Sequence, residues 1–520
     1  MTQDLGPDKQ AIGSEPDKRI KSGFVWMGAA SIASQVLMAL AMVVAMVFLT
    51  KEEIGISTIV IAFAACLEAF AGLGMGQAIL QDNDLTQNEV HSAFWFAFIF
   101  GIVVFVVGVP LVWPVAAFYG YPALVPLLMV GLAKFTLSSW AALPISLVNR
   151  RLEYEKLGAV TVLSTLWCTI LKIVLAFCGC GAWALVIGDA AGSLGMLVGG
   201  LICSKYRPAF HFKWSECRRF IGYGTKTCIW SLIDQLNKNL HFLLLGKFLP
   251  ASLFGGYKVA YELAMTPALS VFNVVTKSSF PVFARFQDSR PDLTKLFFWN
   301  QKNISIFVAV ASVFIWISGG DMFSLVVSGD NDWEGAVKAI PFILVVAFIK
   351  SLLQAYPDLY RACGKPEYGI YSSLVEAGLI FVCCGFSLLL LPEAYMLYGM
   401  LTVWAFVLLL AFGMHSVLVR RFVDSSLKVV WHHIKDSVLF AVFSGIVSFF
   451  LLWGMDALPL DKLPLLDHLP FNPKVVIGII RIILEFACVA VCLKLFAKYR
   501  LKMPVSELWS NSKSKPKDVE

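Results

Sequence analysis

The fold of this chain is decided by two neighbouring apolar segments, RFIGYGTKTCIWSLIDQLNKNLHFLLLGKF (residues 219–248) and SLFGGYKVAYELAMTPALSVFNVVTKSSFPVFAR (residues 252–285). Each is longer than the roughly 20 residues that a helix needs to cross a bilayer. Each also carries charged side chains at depths where lipid would not accept them. The two segments therefore indicate membrane helices that face something more polar than lipid.

A set of charged and polar side chains in each segment falls on one broad face when the helix turns by about 100° per residue. They are Lys226, Asp234, Lys238 and His241 in the first segment, and Lys258, Glu262, Asn273 and Lys277 in the second. A cation at bilayer depth costs about 2.5–3.5 kcal/mol, so such a face must line a water-filled cavity or pair inside a bundle.

We predict a cationic cavity for an anionic substrate, with Lys226, Lys238, Lys258 and Lys277 as its donors. Internal pairing is the alternative, because Asp234 precedes Lys238 by four residues, as Lys258 precedes Glu262. Lys226 and Lys277 stand near predicted cytoplasmic helix ends, where a lysine can also extend its ammonium to the interface.

The same stretch repeats the beginning of the chain. At an offset of 200, Ser31 matches Ser231, Gln35 matches Gln235 and Gly55 matches Gly255; residues 48–49 match residues 248–249. Further matches follow in constant order at a slowly growing offset. Repeats of helices are a common plan for transporters, which place their site between the halves.

Composition restricts the class of protein. The chain has 520 residues, of which 58% are hydrophobic and 15% charged, and its net charge is +7. Its mean hydropathy is +0.75. These values predict a polytopic membrane protein, and they favour contact with anionic lipid over nucleic-acid binding. Most of the twelve cysteines lie in apolar segments, where they behave as small hydrophobes. No nucleotide, metal or catalytic motif appears, so we expect no cofactor, no metal ion and no enzyme activity.

Hydropathy predicts an all-α protein with about fourteen transmembrane helices. They lie at approximately 22–49, 54–80, 90–113, 122–148, 157–178, 182–203, 219–248, 252–285, 297–318, 334–360, 367–391, 395–418, 431–454 and 475–497. Helices 1–6 form a predicted N-lobe, 22–203, and helices 7–12 a pseudo-symmetric C-lobe, 219–418, joined by the basic linker 204–218. Helices 13 and 14, within 431–497, stand outside the repeat. Residues 1–21 and 498–520 would be cytoplasmic tails.

Other charges stand on predicted helices without an evident partner. They are Glu68, Lys134, Lys172, Asp189 and Glu376, together with Lys350 and Asp358 on one helix. Charges within a membrane are functional by default, with structural pairing as the alternative. Lys134 and Lys350 join the cavity candidates. Asp358, Asp234 and Glu68 are the candidates for a proton-coupling carboxylate, and Asp358 is favoured because Lys238 would oppose proton uptake by Asp234.

Several short motifs accompany this layout. They are the glycine-rich end of the second predicted helix (GLGMGQ, residues 72–77), Gln81 and DLT (residues 84–86), Phe94-Trp95, Pro144, Arg150-Arg151 and Glu153-Tyr154. With fourteen helices over about residues 20–500, the chain resembles the oligosaccharide flippases of the polysaccharide transporter family. That family belongs to the superfamily that includes the multidrug and toxin extruders (MATE) and the lipid II flippases.

The resemblance implies two six-helix lobes around a central cavity. It also implies alternating-access export of undecaprenyl-diphosphate-linked oligosaccharides across the bacterial inner membrane, for lipopolysaccharide or exopolysaccharide synthesis. The partners would be this lipid-linked substrate, membrane lipids, and a polymerase with chain-length machinery. The main alternative is a cation-coupled multidrug exporter, which would favour carboxylates over lysines in its cavity. A glycan polymerase or ligase is a third hypothesis. Such an enzyme would be expected to carry a large external loop with catalytic residues, and the sequence predicts none.

Loop charges predict the orientation. Alternate loops are rich in Lys and Arg, and cytoplasmic loops are the ones that carry such an excess. The loop 81–89 departs from this pattern because it has no cation. With both termini cytoplasmic, reporter fusions after residue 210 and after residue 290 should both report the cytoplasm. A periplasmic signal from either fusion would contradict the orientation.

Overall fold

The computed structural model describes residues 16–82, 85–266, 283, 286, 287, 289–326, 333–424, 435–447, 450, 481–492 and 494. In chain order the helices are α1 (Pro16–Phe48), α2 (Lys51–Glu68), α3 (Met75–Gln81), α4 (Gln87–Tyr119), α5 (Leu124–Arg150), α6 (Tyr154–Phe177), α7 (Ala182–Ser204), α8 (Trp214–Phe248), α9 (251–266), α10 (Arg290–Val326), α11 (Glu334–Leu353), α12 (Ala355–Ala362), α13 (Pro366–Leu379), α14 (Gly385–Leu390), α15 (Glu393–Leu418), α16 (435–447) and α17 (481–492). A π-helical turn, Ile380–Cys384, joins α13 to α14.

Ten helical stretches of the described chain are long and apolar enough to cross a membrane. They confirm the predicted class, an all-α multi-pass membrane protein. The 35-residue helix α8 is not among the ten, in keeping with the charges it carries. The predicted helices 252–285, 431–454 and 475–497 lie partly outside the described residues, and Lys277 lies wholly outside them.

Two helices begin at a threonine whose side chain caps the helix N-terminus. Thr50 caps α2 and Thr86 caps α4, each through its hydroxyl to the backbone N–H three residues later. In return Glu53 and Glu89 accept a hydrogen bond from the capping residue's own N–H, at 2.8 Å and 2.9 Å. This reciprocal arrangement satisfies donors that a helix start otherwise leaves unpaired.

The structure divides the predicted helix 54–80. α2 ends at Glu68, a tight 3-10 turn follows at Ala71–Gly74, and α3 continues from Met75. The turn holds Gly72, Leu73 and Gly74 at φ values of +59°, +47° and +67°. Glycine adopts this left-handed region without steric cost. The apolar character of the turn hides the break from a hydropathy pattern.

The helices pack as two bundles. The first is α1, α2 and α4–α7, where α7 packs on both α5 and α6. The second contains α8, α10, α11, α13 and α15, where α15 packs on α11 and α13. α8 also packs against α2, α3 and α4, so it is the helix along which the bundles meet.

Helix ends follow the repeat predicted from the sequence. α1 ends at Phe48 and α8 at Phe248, while α2 begins at Lys51 and α9 at residue 251. The offset of 200 residues therefore holds for two consecutive helix boundaries, and the two bundles begin with equivalent helix pairs.

Candidate functional site

The predicted polar face of α8 remains accessible. Asp234 and Lys238 form an ion pair of 2.6 Å, with side chains 47% and 52% exposed. Lys226, three turns nearer the start of the helix, is exposed as well. A half-exposed pair of this kind contributes only about 0.3–0.5 kcal/mol. The ion pair between Asp234 and Lys238, which the sequence offered as the alternative to a cavity, is therefore present. Its contribution to stability is too small to account for two charges on a membrane helix.

His241 does not share this exposed face. Its ring is 1% exposed and stacks on Trp404 at 4.5 Å and on Tyr261 at 4.8 Å between centroids. Both ring nitrogens lack a hydrogen-bond partner among the described residues. This histidine therefore belongs to an aromatic core of the second bundle.

Two further lysines lie in the second bundle. On α9, Lys258 pairs with Glu262 at 2.5 Å and lies over the Phe242 ring, with its ammonium 4.5 Å from the centroid. On α11, the Lys350 ammonium lies 5.6 Å from the centroid of Trp404. Within the described chain, Lys350 has no carboxylate within ion-pair distance.

Four charges that the sequence showed on separate helices form one cluster in the first bundle. Asp189 of α7 accepts hydrogen bonds from Lys134 of α5 at 2.8 Å and from Lys172 of α6 at 3.0 Å. Lys134 also pairs with Glu68 of α2 at 3.4 Å. Ser138 donates to Glu68 at 2.8 Å. The cluster ties four helices together through alternating charges.

The cluster borders a cavity of about 460 Å³ inside the first bundle. Its polar lining consists of Glu68, Lys134, Ser138, Thr161, Ser164, Thr165, Asp189 and Ser193, with Cys168 beside them. Lys134 and Asp189 are only 13% and 14% exposed. The structure thus brings one cavity candidate, Lys134, and one coupling candidate, Glu68, to the same place.

The remaining coupling candidate lies apart from this cavity. Asp358 is 3% exposed and forms an ion pair with Arg361, one helical turn further along α12. α12 ends at Ala362, next to the predicted cytoplasmic loop. Asp358 therefore pairs with an arginine near a helix end and does not belong to the lining of the first bundle's cavity.

The sequence left Lys172 and Asp189 out of the site although they, like the chosen Lys134 and Glu68, are lone charges on their helices. The 100° rotation relates residues of one helix and carries no information on which helices are neighbours. Asp358 and Arg361, by contrast, stand three residues apart, and this spacing contained the signal for their pairing.

Known proteins share this architecture. A lipid II flippase MurJ in an inward closed conformation aligns with 92% of this chain and 100% of its own, at a TM-score of 0.66 and 10% identity. An inward-facing multidrug resistance MATE transporter aligns with 75% of this chain and 95% of its own, at a TM-score of 0.60 and 14% identity. Fold and charged helices together define a multi-pass membrane protein of the transporter fold that MurJ and MATE proteins share.

Sequence comparison identifies the family. The family described as "Polysaccharide biosynthesis protein" matches residues 43–338, more than half of the chain, and the chain belongs to it. Teichuronic acid biosynthesis protein TuaB of Bacillus subtilis is 21% identical over 83% of this chain and 89% of its own. Lipopolysaccharide biosynthesis protein WzxC of Escherichia coli is 25% identical over 66% and 70%.

The shared aspartate leads to a stability prediction. Asp189→Asn should destabilise the protein by about 3–5 kcal/mol, because it leaves two buried lysines short of a carboxylate. Lys172→Met in the same chain should restore part of this loss, since Lys134 keeps Glu68. The thermal midpoint of the purified protein in detergent measures both effects. A double variant no more stable than Asp189→Asn alone would contradict the assigned pairing.

Proposed function

We propose that this protein flips undecaprenyl-diphosphate-linked oligosaccharides from the cytoplasmic to the periplasmic leaflet of the bacterial inner membrane, by alternating access. Both termini would lie in the cytoplasm, and a polymerase with chain-length machinery would consume the product. Such a substrate joins an anionic headgroup to a long apolar tail. The observation that carries the proposal is the presence of a surface suited to each part.

The polar surface is supported by the exposed charges of α8. Lys226 and Lys238 lie on the helix along which the bundles meet, and their ammonium groups are accessible. Lys350 is within electrostatic reach of Asp234, Lys238 and Glu376. Lysine is a suitable point-charge ligand for a diphosphate. Lys258 and Lys134, which already hold carboxylates, would act as secondary donors, and Lys277 stays a prediction from the sequence.

The apolar surface is a groove of about 720 Å³ between α10, α11 and the segment that begins with α16. Its lining consists of Ala309, Ser312, Val313, Trp316, Pro341, Leu344, Val345, Phe348, Val438, Ala441, Val442, Gly445, Ile446 and Phe450. Apart from the Ser312 hydroxyl and the Trp316 indole N–H, the side chains of this set are apolar. Phe348 and Lys350 are 200° apart on α11, so the groove and the polar surface lie on opposite sides of one helix.

Export of glycan tests the binding assignment. Lys238→Ala, and more strongly the double variant with Lys226→Ala, should reduce export several-fold at normal protein level, because donors to the diphosphate are removed. The readout is lipid-linked glycan retained in the cytoplasmic leaflet of a strain that depends on this gene.

Lys338→Ala is the matched control. Lys338 pairs with Glu334 at 2.6 Å, again four residues apart, but with side chains 63% and 68% exposed at the start of α11. This variant should leave export unchanged. Unchanged export in both single variants and in the double variant at 226 and 238 would refute the assignment. Efflux of cationic drugs without any glycan retention would favour the multidrug-exporter alternative.

We further propose that Glu68 carries the coupling proton. Its cation, Lys134, is closer to Asp189 (2.8 Å) than to Glu68 (3.4 Å), so Glu68 is the less tightly held carboxylate. Asp234 and Asp358 each have a cation of their own one turn away. Uptake of a proton by Glu68 would leave Lys134 to Asp189 alone and loosen the link between α2 and α5.

Proteoliposomes with an imposed proton or sodium gradient test the coupling. Transport should accelerate with the proton gradient in the wild-type protein and in Asp358→Asn, and Glu68→Gln should abolish this acceleration while gradient-free exchange persists. Equal rates with and without both gradients would remove ion coupling altogether. A proton-dependent rate that survives Glu68→Gln would clear Glu68 of the role.

A further inference from the structure

The two bundles touch backbone to backbone at one end of α2. Gly55 of α2 faces α9, and a Cβ atom there would collide with the Ala251 carbonyl oxygen. Gly255 of α9 faces α2, and a Cβ atom there would collide with the Lys51 carbonyl oxygen. Neither position has room for any side chain. We refer to Gly55 and Gly255 as the outer contact, because α2 and α9 begin on the predicted periplasmic side.

The outer contact joins equivalent positions of the two repeats. Two copies related by a two-fold axis can bring the same residue of each together only on that axis. The offset of 200 between Gly55 and Gly255 therefore places this contact on the pseudo-two-fold axis. A tilt of the two bundles away from each other at this end would separate the contact and displace both glycines equally.

A second backbone contact lies nearer the predicted cytoplasmic side. A Cβ atom on Gly224 of α8 would collide with the Leu73 carbonyl oxygen, and one on Gly74 would lie 2.6 Å from the Gly224 oxygen. We refer to Gly224 with residues 73–74 as the inner contact. It falls on the 3-10 turn that separates α2 from α3.

Polar contacts between the bundles accompany both glycine contacts. At the outer end, the Tyr121 hydroxyl accepts a hydrogen bond from the Ala251 N–H at 3.2 Å. At the inner end, Arg219 of α8 pairs with Asp82 at 2.7 Å and with Glu89 at 3.0 Å. The Arg219 side chain is 43% exposed in these pairs, while Asp82 and Glu89 are 26% and 12% exposed. Small residues also let helices approach closely without interlocking side chains.

We propose that the outer and inner glycine contacts are two gates that open in alternation, and that glycine is required at each because only a bare backbone lets the gate close. The gates rest on the alternating-access part of the proposed function. The structure, with both contacts made, corresponds to a state closed at both ends.

Accessibility of a reporter cysteine between the contacts tests the gates. Ser231 lies seven residues after Gly224, about 10 Å along α8 and within 20° of the same face. Ser231→Cys, in a chain whose twelve cysteines are replaced by serine and which still supports export, would be labelled with a membrane-impermeant maleimide. The reagent is added to right-side-out spheroplasts and, separately, to inverted vesicles.

Single alanines give opposite predictions at the two gates. Gly255→Ala keeps the outer gate from closing, so labelling should rise at least threefold from the periplasmic side and fall from the cytoplasmic side. Gly224→Ala should do the reverse. Alanine adds one methyl group and favours helix, so neither variant is expected to misfold.

Neighbouring glycines supply the controls. A Cβ atom on Gly256 would lie 3.6 Å from its nearest neighbour, the Ala336 Cβ, and one on Gly222 would meet nothing within 4 Å. Gly256→Ala and Gly222→Ala should label as the parent does. Labelling that is unchanged in the gate variants, that shifts in the same direction in both, or that shifts equally in the controls would overturn the proposal. The label reports the gates and not the cargo, so a failure of the glycan assignment alone would leave this pattern intact.

Discussion

Asp189 is the residue on which the first bundle depends. It holds Lys134 and Lys172, so three helices, α5, α6 and α7, converge on one carboxylate. A buried charge is tolerable only when it is paired with good geometry, and removal of one partner leaves the other uncompensated. These three helices therefore cannot separate without exposing a bare charge to an apolar interior.

The interface between the bundles is built in the opposite way. Across it, Arg219 of α8 is 43% exposed where it pairs with Asp82 and Glu89, and the closest contacts are bare backbone at Gly55–Gly255 and Gly74–Gly224. Buried ion pairs that join helices within the first bundle, and few side-chain links between the bundles beside bare backbone contacts, favour motion of each bundle as a unit. Such a design keeps the polar surface of α8 accessible and allows the bundles to part on either side of it.

The sequence was sufficient for the class of fold, because a span of apolar residues is a direct consequence of bilayer thickness. It also revealed the repeat, which the matching ends of α1 with α8 and of α2 with α9 now support. It missed the break after Glu68, since the glycine turn there is as apolar as the helices beside it. It presented Lys172 and Asp189 as lone charges, because the periodicity of a helix does not show which other helices pack against it. Lys134 and Glu68 were predicted separately, and only the packing shows that they meet.

At the predicted cytoplasmic end, the contacts of the Glu216 carboxylate indicate that this group does not take up a proton near neutral pH. The Ser92 hydroxyl donates to Glu216 at 2.6 Å, and this hydrogen bond, helped by His211, holds the pKa of Glu216 below its usual value. A carboxylate with a lowered pKa contributes its stability above the pKa of the unfolded chain and loses it only as the pH falls through the lower folded value. Near neutral pH, Glu216 therefore stays charged and keeps the linker tied to α4. A proton that opens the proposed inner gate would therefore have to bind another group, and the proposed carrier is Glu68, which lines the cavity beside α2.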